Sequence, residues 1–476
     1  MNWRATANRE REVVWLAAPP PLSVRAVRWG IGIALLVAAI LLGERATTGL
    51  LITLLLALLA VLCLSQPAWG ALAIIPAALL LPLEFSTGTA VSLNPVTLLV
   101  IALLGLLALT RLRQGRLPWT AANRPLLLFL LAGLLSLLVG NALWDPFVPR
   151  SPNFILVQLA QWAIFALSAG AFWLGGNLIP DEKWLRRLTF LFLMLGGLLA
   201  LLWNIPGLAT PLSKWITMAI IRAPFWVLLA GLAAGQLLFN QSLRLPARLG
   251  LLLILGAVAA YALVFQQDAA SNWIGIATVL FVLFWLRWPR WRLPLLLALL
   301  LLAFSGLLFR GLWTFAGGDA EWELSGGSRL SLIQRVIEVT LRNPITGLGP
   351  AAYRAYSHMK PLVYLHIVWV QPLVSSHNNY VDLFSHVGLL GLGLFGWFVV
   401  ALARFALRLR TQFQGDFCAG YVNGMLAVGA GALVLMALAD WILPFVYNIG
   451  FPGFQASVLV WLFLGGLAPL AAPGEA

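Results

Sequence analysis

Charge is the scarcest commodity in this chain. Only 10% of its 476 residues are charged, against about 25% in an ordinary soluble domain, while 61% are hydrophobic and the mean hydropathy is +0.93. An aqueous globular surface is excluded, as are disorder and a collagen-like fibre. Cysteine is nearly missing too: Cys63 and Cys418 cannot build a disulfide framework or a thiolate metal site. Lysine occurs at 183, 214 and 360 alone, so the net charge of +14 is carried almost entirely by arginine. On a soluble chain that excess would suggest nucleic acid. Here the arginines are scattered through short loops between apolar runs, which is the topology signal of a polytopic membrane protein, with no nucleic-acid partner implied.

A helix needs about 20 apolar residues to cross the hydrocarbon. Runs near 28–43, 48–64, 68–84, 94–110, 125–143, 154–175, 185–203, 222–240, 248–265, 271–287, 293–311, 386–405, 421–441 and 450–470 predict an all-α fold of about 14 spans (12–14). Residues 1–26, polar and basic, read as a cytoplasmic tail before an uncleaved signal anchor, with 27–311 forming spans 1–11, 386–471 spans 12–14 and 472–476 a short cytoplasmic tail. With the N-terminus inside, the loops holding Arg111, Arg113, Arg116, Arg124, Lys183, Arg186, Arg187, Arg244, Arg248, Arg287, Arg290, Arg292, Arg404, Arg408 and Arg410 all fall on the cytoplasmic side. Both cysteines then lie near the reducing face, as free thiols. Residues 312–385 break the rhythm as one large external loop, expected to contain amphipathic helices. All four histidines (358, 366, 377 and 386) lie in it or at its exit. Loops of this length are more often functional than idle.

Within the loop, Asp319, Glu321 and Glu323 form an acidic cluster, a solvated turn more readily than a divalent-cation site. Ser328 to Arg342, stopped by Asn343-Pro344, reads as a helix with Ser328 as its N-cap. Glu338 is spaced to pair with both Arg335 and Arg342. Arg329 has no such acid and falls on the first turn, where free N–H groups favour an anion. It is either a phosphate clamp or a surface arginine. Gly347-Leu348-Gly349-Pro350 is a tight turn without the context of a nucleotide loop. Then Ser375-Ser376-His377-Asn378-Asn379-Tyr380 places a His-Asn pair just above a span whose first turns carry Gly388 and Gly391. His377 is a general base near neutral pH or a structural interfacial histidine, and Asp382 is the acid that can orient it. The spacing of the four histidines matches no metal-ligand motif.

His377-Asn378, nine residues, then Gly388-x-x-Gly391 resembles the signature of the O-antigen ligase family, whose superfamily also holds O-antigen polymerases and pilin glycosyltransferases. Gly327-Ser328-Arg329-Leu330 through Asn343-Pro344-Ile345-Thr346-Gly347-Leu348-Gly349-Pro350 resembles that family's second pattern. The resemblance implies a glycosyltransferase of the bacterial inner membrane with its active site on the periplasmic face. It would move a glycan from an undecaprenyl-diphosphate carrier to an acceptor hydroxyl, on lipid A-core for a ligase or on another lipid-linked repeat for a polymerase. No cofactor, metal or nucleotide is implied, and one direct displacement inverts the anomeric carbon. By similarity His377 is the base, with Asn378, Asp382 and Arg335 in support, and Arg329 grips the diphosphate. An upstream arginine at the outer end of a span corresponds to Arg222, with Lys214 its rival. The family's Ser-Arg pair is absent from Gln267 to Gly275, so that contact does not carry over. The rival from another class is a lipid-glycan transporter or flippase, which would place ionisable groups at the bilayer midplane.

Overall fold

Backbone groups within hydrocarbon must find partners inside their own segment, which leaves an apolar chain little choice but helices. The computed structural model describes residues 66–86, 92–114, 120–267 and 269–471, and these are overwhelmingly helical. Three helices have short apolar stretches: α1 (Pro67–Leu80), α2 (Pro95–Gln114, apolar over Pro95–Thr110) and, later in the chain, α6 (Ala223–Phe239). Eight are long and apolar enough to cross a membrane: α3 (Asn123–Ala142), α4 (Phe154–Leu178), α5 (Glu182–Trp203), α7 (Leu245–Ala260, extended by a wide turn to Phe265), α8 (Ala270–Arg287), α13 (Asn379–Gln412), α14 (Phe417–Leu438) and α15 (Gly450–Gly465, extended to Leu470). The all-α, multi-pass reading therefore holds. The predicted spans at 28–43 and 48–64, both tails and Cys63 lie outside the described residues.

Three expectations about the elements need correction. The span expected at 293–311 is two helices, α9 (Arg292–Phe304) and α10 (Leu307–Phe315), bent by 81° at Gly306, whose φ of 74° only glycine adopts easily. Neither has a buried side chain. The span expected to enter at 386 begins at Asn379. Ser328 is not an N-cap, because Gly326 and Gly327 both have helical backbone angles. The helix over Gly318–Glu321 runs through a wide turn at Trp322–Gly326 directly into α11 (Gly327–Thr340).

Helix α6 is the hub, with every residue from Ala223 to Gln236 buried. Small residues let backbones approach, as is usual between helices in lipid. A Cβ on Gly235 would stand 2.6 Å from Gly420 O, and one on Gly275 would stand 2.8 Å from both Leu435 and Val227. These contacts bring the start of α6, the start of α8 and the end of α14 to one end of the bundle. At the opposite end Asp181 and Asp416 cap α5 and α14, accepting from Trp184 N at 3.0 Å and Ala419 N at 2.7 Å.

One joint fixes the segment before α13. Gly388 sits at φ 67°, ψ −172° inside that helix, so the ladder is interrupted there. The freed N–H groups of Leu389 and Leu390 donate to Pro344 O at 2.9 Å and Ile345 O at 3.1 Å, while Leu348 N donates to Ser385 O at 2.8 Å. The Asn343-Pro344 turn and the Gly388 kink are therefore two halves of one structure. A Cβ at Gly388 would collide with Ile345 O and Gly347 N.

Candidate active site

Both motif segments meet at the end of the bundle defined by the start of α6. Arg329, on α11, donates from a guanidinium nitrogen to Leu438 O at 3.3 Å, which ties it to the last turn of α14. Arg329, Ser376, His377 and Leu438 line one groove enclosing roughly 1450 Å³ of open space. Its other walls are mainly apolar, among them Trp273, Ile274, Phe309, Leu312, Trp313 and Trp322, with Ser271 and Glu321 the polar exceptions.

His377 is held in the left-handed region, at φ 48°. Histidine is among the non-glycine residues that visit this region, and such strain persists only where surroundings over-determine it. The surroundings here are two caps. Asn378 caps α13, accepting from Tyr380 N at 3.0 Å and Val381 N at 3.2 Å, and its amide donates to Ala437 O at 2.8 Å. Ser376 accepts from Asn378 N at 3.0 Å and donates to Asp382 at 2.7 Å.

The acid beside the imidazole is Asp440, not the expected Asp382. His377 Nδ1 lies 3.9 Å from Asp440 Oδ1. Asn448 Nδ2 lies 3.4 Å from Nδ1 and donates to the two carboxylate oxygens at 2.9 and 3.1 Å. Asp440 is fully buried and also accepts from Phe445 N at 3.2 Å. Buried Asn379 fastens this segment to α13, accepting from Ile442 N and Leu443 N and donating to Leu443 O at 2.7 Å. Asp382 has other work: its carboxylate accepts from Tyr353 Oη at 2.9 Å and from Ser376. The helical turn that separates it from His377 points it into the bundle.

Burial pushes the His377 imidazole below the ordinary histidine range. Asp440 opposes that shift and Arg329 reinforces it. Burial likewise raises the Asp440 carboxyl, against the pull of His377, Phe445 N–H and Asn448. With Nδ1 on the side of Asp440, the free edge of the ring carries Nε2; in the tautomer whose Nδ1–H faces the Asp440 carboxylate, rather than accepting from Asn448, Nε2 offers a lone pair.

The remaining predicted residues are placed as follows. Arg335 pairs with Glu338 at 3.2 Å, as expected, and also donates to the carbonyls of Ser357, Lys360 and Pro361 at 3.3, 2.7 and 2.9 Å. It staples α11 to the chain that leads from α12 (Tyr353–Ser357) into the hairpin of Leu362–Tyr364 and Ile367–Trp369. Arg342 does not share Glu338, which pairs instead with Lys360; its own partner is Asp145 at 2.6 Å. Since Ser328 is no cap, Arg329 does not stand beside free helix N–H groups, and what it offers an anion is the guanidinium alone. Arg222 is half-buried before α6, at the same end of the bundle, and Lys214 is exposed. Neither is among the residues lining the groove. His386 is buried, accepting from Ala351 N at 3.3 Å, while His366 is exposed. Among the described residues no three His, Cys, Asp or Glu side chains gather as metal ligands would. Asp319 accepts from Trp313 Nε1 at 3.1 Å.

Residues 255–396 match the O-antigen ligase family model. The resemblance expected from the two motifs holds over that stretch. The O-antigen ligase match takes in Arg329, His377 and both halves of the Gly388 joint, while Asp440, Asn448, Arg222 and Lys214 lie outside it. It supports a membrane protein that transfers glycans as a ligase or polymerase. No curated protein matches the chain.

Asp440 and Asn448 were missed from the sequence, yet one signal was present. Asp440 is the one acid between Asp416 and Glu475, in a stretch read as a span. An ionisable residue there is a functional candidate by default.

Proposed function

We propose that the protein transfers a glycan from a polyprenyl-diphosphate carrier, undecaprenyl diphosphate in a bacterial inner membrane, to an acceptor hydroxyl on the periplasmic face. The observation that carries this reading is that Arg329 and His377 line one groove whose other walls are mainly apolar and aromatic, with Ser271, Ser376 and Glu321 as the polar members. A cation for a diphosphate, a base for a hydroxyl and a dry wall for a prenyl chain are what such a reaction needs. His377 Nε2 takes the proton of the acceptor hydroxyl as its oxygen attacks the anomeric carbon. The bond from that carbon to the diphosphate oxygen breaks with its electron pair, and Arg329 stabilises the growing negative charge bidentately. Asp440 stabilises the imidazolium that forms, as a buried carboxylate does for a catalytic histidine. Attack opposite the leaving group inverts the configuration. Arg222, with Lys214 its rival, is the second donor contact, at the same end of the bundle but outside the groove.

The orientation rests on the expected loop rule: the basic loops of Lys183 to Arg187, Arg244 to Arg248 and Arg287 to Arg292 lie at the end of the bundle away from the groove. A transporter reading loses its footing because the groove's ionisable groups gather at one end of the bundle. The test is reconstitution of the purified chain in proteoliposomes with an undecaprenyl-diphosphate-linked glycan. Lipid A-core and a second lipid-linked repeat are offered separately as acceptors. Transfer to the first marks a ligase and to the second a polymerase; binding of donor with transfer to neither would sink the proposal.

A further inference from the structure

The end of the bundle away from the groove has a pocket that glycan transfer does not use. It encloses roughly 870 Å³ of open space between the ends of α6, α8, α13 and α14. Arg287, Arg410, Gln241, Gln414, Thr411 and Asn423 line it, with no carboxylate among the lining residues. The guanidiniums are pre-placed. Arg410 donates to Asn423 Oδ1 at 2.8 Å and to Leu286 O at 3.0 Å, and neighbouring Arg292 donates to Trp285 O at 2.9 Å. Both use carbonyls of the last turn of α8, the end of a helix that favours cations. Arg287 lies over the ring of Phe239 at 5.8 Å. None of these three arginines forms an ion pair with a carboxylate among the described residues. Asp416, in the flanking loop, is engaged in capping α14.

We infer that this pocket binds the phosphate of an anionic phospholipid, in the leaflet away from the transfer groove. Guanidiniums grip phosphate bidentately, and Gln, Asn and Thr side chains suit the glycerol or hydroxyl groups beside it. A lipid rather than free phosphate is indicated by what adjoins the pocket. One turn along α13 from Arg410, Leu407 is 48% exposed, and along α8 Phe281 and Leu280 are 40% and 44% exposed, so apolar lanes lead from the arginines along the helices.

The full chain in zwitterionic detergent is titrated with phosphatidylglycerol, phosphatidylcholine and inorganic phosphate, reading bound adducts by native mass spectrometry and thermal stabilisation together. Phosphatidylglycerol should bind and stabilise, phosphatidylcholine should do so weakly, and phosphate alone should not. Arg287→Ala removes an exposed side chain that, among the described residues, contacts the Phe239 ring and makes no side-chain hydrogen bond, and it should weaken phosphatidylglycerol binding roughly tenfold, the loss of one charged hydrogen bond. Arg408→Ala, exposed on the same helix end but not lining the pocket, should leave binding unchanged. Equal losses in both variants would mean diffuse surface charge and overturn the site. Equal stabilisation by inorganic phosphate would overturn the lipid as ligand.

Discussion

Nδ1 of His377 stands 3.9 Å from Oδ1 of Asp440, and Asn448 touches both. The pair sets a pH dependence. His377 must be neutral to accept a proton, and burial holds its pKa below the ordinary value of 6.5. Transfer should therefore be level around neutrality and fall only as the pH drops below that value. Asp440 raises the imidazole pKa, so Asp440→Asn should slow the reaction and move the acid limb to still lower pH. Arg329 lowers it, so Arg329→Gln should move the limb upward. A limb that stays fixed in both variants would separate His377 from the rate-determining proton.

His377→Ala is expected to cut transfer by about 10²–10⁴-fold, the usual contribution of a general base. Insertion and donor binding should survive, because the carrier is held by arginine and the apolar wall. Exposed His366 should tolerate alanine. His386→Ala should lower thermal stability, since it empties a buried ring that packs on Tyr353 and Phe445. Donor-binding assays beside transfer assays distinguish these cases, and lost donor binding in His377→Ala would move that residue into the diphosphate site.

Arg329 and Arg335 share a helix but should fail differently. Arg329→Ala should reduce transfer strongly, leaving a measurable residue, with little change in melting temperature, and Arg329→Lys should restore only part, since an ammonium cannot grip diphosphate bidentately. Arg335→Ala should instead destabilise the segment by about 2–3 kcal/mol, because its charged hydrogen bonds to three carbonyls are lost. Arg222→Ala should weaken donor affinity. Thermal melts and donor titrations read these apart; identical profiles for 329 and 335 would reduce Arg329 to a structural role.

Gly388→Ala is expected to prevent correct folding, as the new Cβ meets the backbone of Ile345 and Gly347 at a positive φ. Gly393→Ala, on the same helix with open space around it, should be silent. Size-exclusion profiles of the two variants make the comparison, and a well-folded Gly388→Ala would remove the joint.

Orientation is checked by labelling in a background lacking Cys63 and Cys418. A membrane-impermeant thiol reagent added outside should modify Ala320→Cys and spare Arg244→Cys. The opposite pattern would put the groove in the cytoplasm.

Hydropathy read most of the helices correctly because lipid leaves the backbone few alternatives, and the His377 and Arg329 segments were legible as motifs. What escaped was long-range. Asp440 is brought to His377 by Asn379, which clamps the segment between α14 and α15. Spacing within one segment cannot reveal a partner 63 residues away (440 − 377). The same blindness favoured Asp382, near in sequence but turned inward to Tyr353. Ser328 looked like a cap because serine before an amphipathic run usually is one; the glycines ahead of it continue the helix instead.

The two-part joint at Gly388 limits how segments can be exchanged with proteins that share the matched stretch. Its halves, 344–348 and 385–390, are far apart in the chain yet share their hydrogen bonds. A chimera cut between them inherits mismatched halves, however alike the helices on either side. The smallest transplantable cassette therefore runs from before Arg329 to beyond Gly391, carrying cation, imidazole and hinge together. Asp440 stays behind in the recipient, so such a graft works only where the host supplies its own acid beneath the imidazole.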